Sequence, residues 1–508
     1  MGRSTMRTCG LPGLLALLGS LWLSASTGCS TAPARPVNDP RTDYQDPSLP
    51  LDQRIEALQT AWDRAPAEPG GRDAFRVAVK GIAWSQQAPT ELRLASIRTL
   101  LLETDPAALA DARELMRMRL WQERNEEVIA LIAREAAERQ WVEYSGALVR
   151  SYARRWPSTP DDDRPERAAL EALRPGQPIE RIVLEVFLDP GEAALRTIDM
   201  NRRTRADAWD LLSRLDATGA VRMAATRDQS LTARSEDGQR VLEDLRAGAR
   251  DLGVIPITGD ELAWLQALRQ PASRNWWAEA TAAVGQLSPE QRVGLRLRHI
   301  EPLRWAAEMR PHWVDATREE LLSELRMRLD GRRVTRRTAG VSGRLPERLE
   351  DHENVLTWGD ALAILVVDVA AHDSGVVRSV FAQISSDRSD RTTEYGGLLH
   401  VRAAPDDDAG LFEATLFPPR PNERPADDQF IASADMIEQG VRTLAHYHFH
   451  AQRTNSATLA GPSGGDLDYA DRYGVNCLVF TSVERGAVAA DYYCAGGIII
   501  DLGRIDEP

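Results

Sequence analysis

The amino-acid sequence predicts a multidomain chain: an N-terminal all-α helical-repeat region, α-solenoid-like, followed by a C-terminal α/β domain. Three observations carry this. The chain has 508 residues, whereas one domain usually takes about 100–200. Apolar residues recur at helical spacing between residues 53 and 330. From residue 354 onward, short apolar, β-branched runs separated by turn residues replace that pattern. With 43% hydrophobic and 27% charged residues, the composition is that of a globular protein and excludes a disordered one.

The segments follow in order. Arg3 and Arg7 precede the apolar run "LPGLLALLGSLWL", and the small residues "SASTGC" follow it. Residues 1–29 therefore read as an export signal, the apolar run being too short to span a bilayer comfortably. Its end, Ser26-Thr27-Gly28-Cys29, resembles a bacterial lipobox with Ser26 in the place of the usual Leu. That resemblance implies lipid on Cys29, a membrane anchor, and a place in the cell envelope facing the periplasm or the exterior. A plain secretory signal or an uncleaved anchor is the alternative. Residues 30–52 are rich in Pro and Asp and read as a tether.

Residues 53–330 carry segments such as "RIEALQTAWDRA", "ELRLASIRTLLLE", "AALADARELMRMRLWQ" and "NEEVIALIAREAAERQ", each apolar at helical spacing. Two successive helices take roughly 35 residues, the length of a helical-hairpin repeat. The stretch from Pro89 to Leu120 weakly resembles a HEAT-like repeat. Such surfaces bind extended partners, so a protein partner is expected here. The last helical segment, "TREELLSELRMRLDG", opens with Thr317 and Glu320 at capping-box spacing. Trp264, Trp276, Trp277, Trp305 and Trp313 are expected between packed helices.

Residues 331–353 lose the apolar rhythm, gather Arg and Gly, and read as a linker. In residues 354–508 the runs "ALAILVVDVAA", "GGLLHVRA", "LFEATLFPP", "CLVFTSV" and "GGIIIDLG" read as strands. Cys477 and Cys494 bound two β-rich runs that fold back at Arg485-Gly486, and a two-residue turn there sets the thiols opposite each other. A disulfide and a pair of buried free thiols both fit. A net charge of −14 excludes a nucleic-acid partner, which requires a basic face.

Three of the eight histidines, His446, His448 and His450, stand at alternate positions. On a strand, side chains two apart share a face about 6.5–7 Å apart, so two can lean onto one cation. Three span about 13 Å, too far for bonds of about 2 Å. His448 and His450, at the strand's exit, are the expected pair, with His446 deeper as support. Ser463 and Asp466 follow with the spacing of a capping box, but two His and one carboxylate also make the three-ligand set of catalytic zinc. Glu394, opening the run "EYGGLLHV", reads as a base or as an ordinary strand-end glutamate.

A Glu opening E-x-x-G-x-L, then H-x-H, then S-x-x-D is similar to the JAMM motif of the JAB/MPN zinc metalloprotease domain, over about the last 150 residues. Glu394, Gly397 and Leu399 match the first element, His448 and His450 the second, Ser463 and Asp466 the third. The resemblance implies a JAB/MPN-like fold in which His448, His450 and Asp466 bind Zn²⁺. Glu394 would act as general base on a metal-activated water attacking an amide carbonyl, and Ser463 would steady the oxyanion. The chain departs from the family at Ala451, where Pro is common, in the long stretch Ala451–Pro462, and at His400, where Gly is usual. The expected function is an exported zinc-dependent peptidase or isopeptidase-like hydrolase acting on a peptide or protein. The alternatives are a non-catalytic envelope scaffold or binding lipoprotein with a degenerate JAMM-like domain, and a purely structural metal site of the three histidines.

Overall fold

Asp39 opens the described chain as a helix cap, its carboxylate accepting the N–H of Arg41 ahead of the Pro40–Asp43 helix. This computed structural model describes residues 39–67, 71–191, 198–334, 346–406 and 410–508. Cys29 with the whole export signal, residues 30–38 of the tether and residues 335–345 of the linker lie outside the described residues. The rest of the tether stretch is packed: Tyr44 is buried edge-on against Phe75, ring centroids 5.3 Å apart. The chain divides into two compact units at Leu109/Ala110.

In the first unit the helices Leu51–Arg64 and Gly71–Trp84 pack on Thr90–Leu101 and bury Leu58, Val79 and Ile97. The second unit continues the helical series with Glu126–Glu138, Ser145–Ala153, Pro165–Leu173, Ile179–Leu188 and Ile198–Leu215, each packed on near neighbours in sequence. Asn125 caps Glu126–Glu138 through the N–H of Val128 at 3.0 Å. The Thr317/Glu320 capping box forms, with Thr317 N–H donating to Glu320 at 2.8 Å. Trp276, Trp277, Trp305 and Trp313 are buried, and Trp264 donates its indole N–H to the Val441 carbonyl at 2.6 Å. Among the described residues no helix is long and apolar enough to cross a membrane.

The run "ALAILVVDVAA" is not a strand. It forms the helix Trp358–Ala371, opened by a Thr357/Asp360 capping box. The helix is apolar nearly all round because it packs against the helices Leu297–Met309 and Arg318–Leu329 and the sheet together. A run buried on every side shows neither period, so only the cap distinguished helix from strand.

Six strands form one mixed sheet: β1 (Gly396–Asp406), β2 (Gly410–Leu416), β3 (Ala445–His450), β4 (Cys477–Glu484), β5 (Ala487–Cys494) and β6 (Ile498–Asp506), in the order β2-β1-β3-β4-β5-β6. Only β3 and β4 run parallel. A parallel pair cannot be joined by a hairpin. The connection from β3 to β4 therefore crosses over, and it carries the helix Gly464–Tyr473.

The Arg485-Gly486 turn does join β4 to β5, but the thiols are not opposite. Glu484 pairs with Ala487, yet a bulge after Ser482 shifts the register so that Cys477 faces Tyr493. A one-residue slip sends a side chain to the other face of the sheet. Both cysteines are buried free thiols, and burial pushes both thiol pKa values up. They should resist alkylation in the folded protein and react only after unfolding, as mapped by mass spectrometry of their peptides. Recovery of a Cys477–Cys494 linked peptide from native protein would reject this.

A buried polar cluster joins helices to sheet. Arg298 and His299 both contact the Asp360 carboxylate, the latter at 3.0 Å from Nε2. Asn476 donates to the carbonyls of Arg298 and Leu444, each at 2.9 Å. His299 Nδ1 accepts the N–H of Arg296 at 3.1 Å, so the proton sits on Nε2. Burial first, then the Arg298 charge, pushes His299 down to about 4. The unfolded imidazole takes a proton below about 6.5, and the folded one does not until about 4, so stability falls as pH falls through this window. From about pH 7 to about pH 4.5 this residue should cost roughly 2–3 kcal/mol of unfolding free energy. His299→Gln should flatten that part of the profile, and equal slopes in denaturant titrations would reject the assignment.

Candidate metal centre

β3 is buried on both faces. Tyr447 and Phe449 point to one side, where the Tyr447 hydroxyl donates to Gln383 at 2.6 Å on the helix Ser374–Ser389. The three histidines point to the other. In the antiparallel register of β1 and β3, Gly396 pairs with His448. Phe449 N–H donates to the Tyr395 carbonyl at 3.0 Å, so the alignment carries on past the strand's start and sets Glu394 level with His450. Gly396 is required here: a Cβ would meet the Tyr447 carbonyl at 2.5 Å and the Phe430 ring at 2.6 Å.

The crossover helix brings the fourth group. Ser463 and Asp466 form its capping box: Ser463 N–H donates to Asp466 Oδ2 at 2.6 Å, and Asp466 N–H donates to Ser463 Oγ at 3.3 Å. The same carboxylate faces the histidines. His448 Nε2 lies 3.3 Å from Asp466 Oδ1, His450 Nε2 lies 3.9 Å from Oδ2, and the two Nε2 atoms are 3.2 Å apart. Donor atoms of Glu394, His448 and His450 also lie within 4.8 Å of one another.

These spacings suit a cation. Four tetrahedral bonds of about 2.0–2.2 Å set donors about 3.3–3.6 Å apart. The tautomer suits it as well: His450 Nδ1 donates to the Leu459 carbonyl at 2.8 Å, which leaves the Nε2 lone pair directed at the cluster. His448 Nδ1 lies 3.5 Å from the Tyr493 hydroxyl, and the ring is stacked on Phe430 at 5.8 Å and 8°. His446 does not join the group. Its Nδ1 pairs with the Tyr469 hydroxyl at 2.8 Å, three residues beyond Asp466 on the same helix, so it braces the element that carries the carboxylate.

Charge is distributed unevenly over the site. Burial pushes the Glu394 carboxyl up to about 7, against the pull of His448 and Gln452. Asp387, buried behind it and accepting the N–H of Tyr395 at 2.6 Å, is likewise pushed to about 7 by burial. For Asp466 burial is outweighed by His448 and by the Ser463 N–H, and its carboxyl stays well below the usual range. His448 is raised in turn, its own burial being outweighed by Asp466.

The long stretch after His450 is anchored along its length. Arg388 Nε donates to the Ala451 carbonyl at 3.3 Å and its Nη2 to the Ser482 hydroxyl at 2.8 Å. Ser456 N–H donates to the Ser482 carbonyl at 2.6 Å. The extra residues thus fold back on β4 and present the Leu459 carbonyl to His450. His400 lies elsewhere, opposite Glu413 on β2, lining a cavity of about 630 Å³ with Trp305, Glu308 and Arg442 that none of the four donor residues lines.

Sequence spacing did not point to Phe430, Asp387, Gln452 or the Leu459 carbonyl. Phe430 is the one aromatic in the Pro- and Asp-rich run "PPRPNERPADDQF", the one signal that could have drawn attention to it. The other three act through loop and helix contacts that no motif encodes. Searches of family models, curated proteins and solved structures found no match to this chain.

Proposed function

We propose that this chain is an exported zinc-dependent peptidase or isopeptidase-like hydrolase of the JAMM type. The observation that carries the proposal is the convergence, from three separate segments, of His448, His450 and Asp466, whose facing atoms lie 3.2–3.9 Å apart, with Glu394 beside the two histidines. His448, His450 and Asp466 would hold Zn²⁺, which when bound polarises a carbonyl and makes water a competent nucleophile near neutral pH.

The chain's own groups then have distinct tasks. Glu394 takes the proton that the attacking water loses as its oxygen bonds to the amide carbon, and returns it to the nitrogen as the C–N bond breaks. A carboxyl pushed to about 7 by burial suits that exchange. Ser463 Oγ accepts the Asp466 N–H yet keeps its own O–H to donate to the developing oxyanion. Asp466 serves the helix cap with Oδ2, which also faces His450, and meets His448 with Oδ1. The remaining readings rest on sequence resemblance: an α-solenoid-like surface over residues 53–330 for a protein partner or substrate, and a lipid on Cys29 holding the protein in the envelope.

A second reading, a non-catalytic envelope scaffold, is favoured by one observation: Ser463 and Asp466 already satisfy each other as a cap. Metal analysis of the purified mature chain, with a screen of peptide and isopeptide substrates, separates the readings. About one zinc per chain, with hydrolysis lost to a chelator and restored by zinc, is expected. A chain that takes up no zinc rejects both the metal centre and the hydrolase. Zinc without hydrolysis selects the scaffold.

A further inference from the structure

Gln452, two residues beyond His450, is the least expected neighbour of the site. Its Nε2 donates to Glu394 Oε1 and to the Asp427 carbonyl, the latter at 2.8 Å. One amide thus ties together the start of β1, the stretch between β2 and β3, and the loop after β3. Its own Oε1 is buried without a partner. An orphaned buried acceptor costs about 1–3 kcal/mol, a cost that simple packing at this position would not require.

Among the described residues no other hydrogen bond holds the side chain of Glu394. Its N–H donates to the Gln429 carbonyl at 3.2 Å, and the next residue's N–H is fixed by Asp387. The carboxylate could therefore swing away from the histidines. With Oε1 on Gln452, the other oxygen bonds to no described residue and is not among the buried orphan atoms. That oxygen is the one left to handle a proton.

We propose that Gln452 is a positioning residue: its amide fixes the rotamer of Glu394 beside His448 and His450, leaving one carboxylate oxygen for proton transfer, and clamps the Asp427 stretch to the same point. The kinetic consequence rests on the hydrolase reading, whereas the rotamer does not. The experiment compares the zinc-loaded mature chain with Q452M, similar in size but without a donor, by steady-state kinetics, zinc content and crystal structure. Expected are a kcat lower by about 10–100-fold, a KM within about 3-fold, unchanged zinc content, and a Glu394 carboxylate turned away from its Oε1 position.

Purely structural damage would move zinc content and KM together with kcat, and that result overturns the proposal. An unchanged Glu394 rotamer in Q452M also overturns it. Q452L, which also lacks a donor and adds no charge, should act in the same direction and carries the test if Q452M fails to fold. Should the wild type bind zinc but hydrolyse nothing, the hydrolase reading falls alone, and the two crystal structures still decide what holds Glu394.

Discussion

Glu394→Gln should lower turnover by about 10²–10⁴-fold, with zinc content and KM close to those of the wild type. The substitution is nearly isosteric, and its side-chain oxygen can still accept the Gln452 amide that now meets Glu394 Oε1. Folding should therefore be untouched, and the buried acid pushed to about 7 becomes a neutral amide, a stabilising change if any. What disappears is the capacity to take a proton from water and return it to nitrogen. Because Glu394 stands beside the histidines without belonging to the proposed ligand set, metal uptake should survive. Parallel kinetics and metal analysis check this. A variant with wild-type turnover removes the general-base role, and one that loses its zinc makes Glu394 a ligand.

Asp466→Asn should weaken zinc binding by at least about 100-fold, beyond the 10–100-fold typical of residues that only support a ligand. Asparagine keeps the oxygen that accepts the Ser463 N–H, so the helix Gly464–Tyr473 should still start at the same residue. It removes the anion that lies 3.3 Å from His448 Nε2. Two neutral imidazoles remain, and a divalent cation loses the only charged ligand of its proposed three. Competition with a zinc chelator, read beside circular dichroism, measures affinity and helix together. Unchanged affinity would mean that the histidines hold metal without Asp466 and would end the catalytic-zinc proposal.

Much of the fold was legible because local rules decide it. Thr317 sits where a helix begins, and alternation along β3 put the three histidines on one face whatever the neighbours. The helix Trp358–Ala371 was misread because its surroundings, not its sequence, made it apolar on every side. The two thiols are not opposite each other for a similar reason: a single bulge after Ser482, invisible in the composition of either strand, moved Cys477 from Cys494 to Tyr493, and of the two readings the buried free thiols hold.

At the site, residue types and their order in the chain were enough to nominate Glu394, His448, His450, Ser463 and Asp466, since a metal-ligating side chain advertises its chemistry. Whether they meet was decided by the tertiary structure: by the β1–β3 register that levels Glu394 with His450, and by the parallel β3–β4 pair that forces a crossover and so delivers Asp466 to the strand's exit. The same folding supplied groups with no motif, namely the Leu459 carbonyl that sets the His450 tautomer and the Gln452 amide that holds Glu394. Backbone carbonyls and loop amides are common to every sequence, and only their placement in space gives them a role.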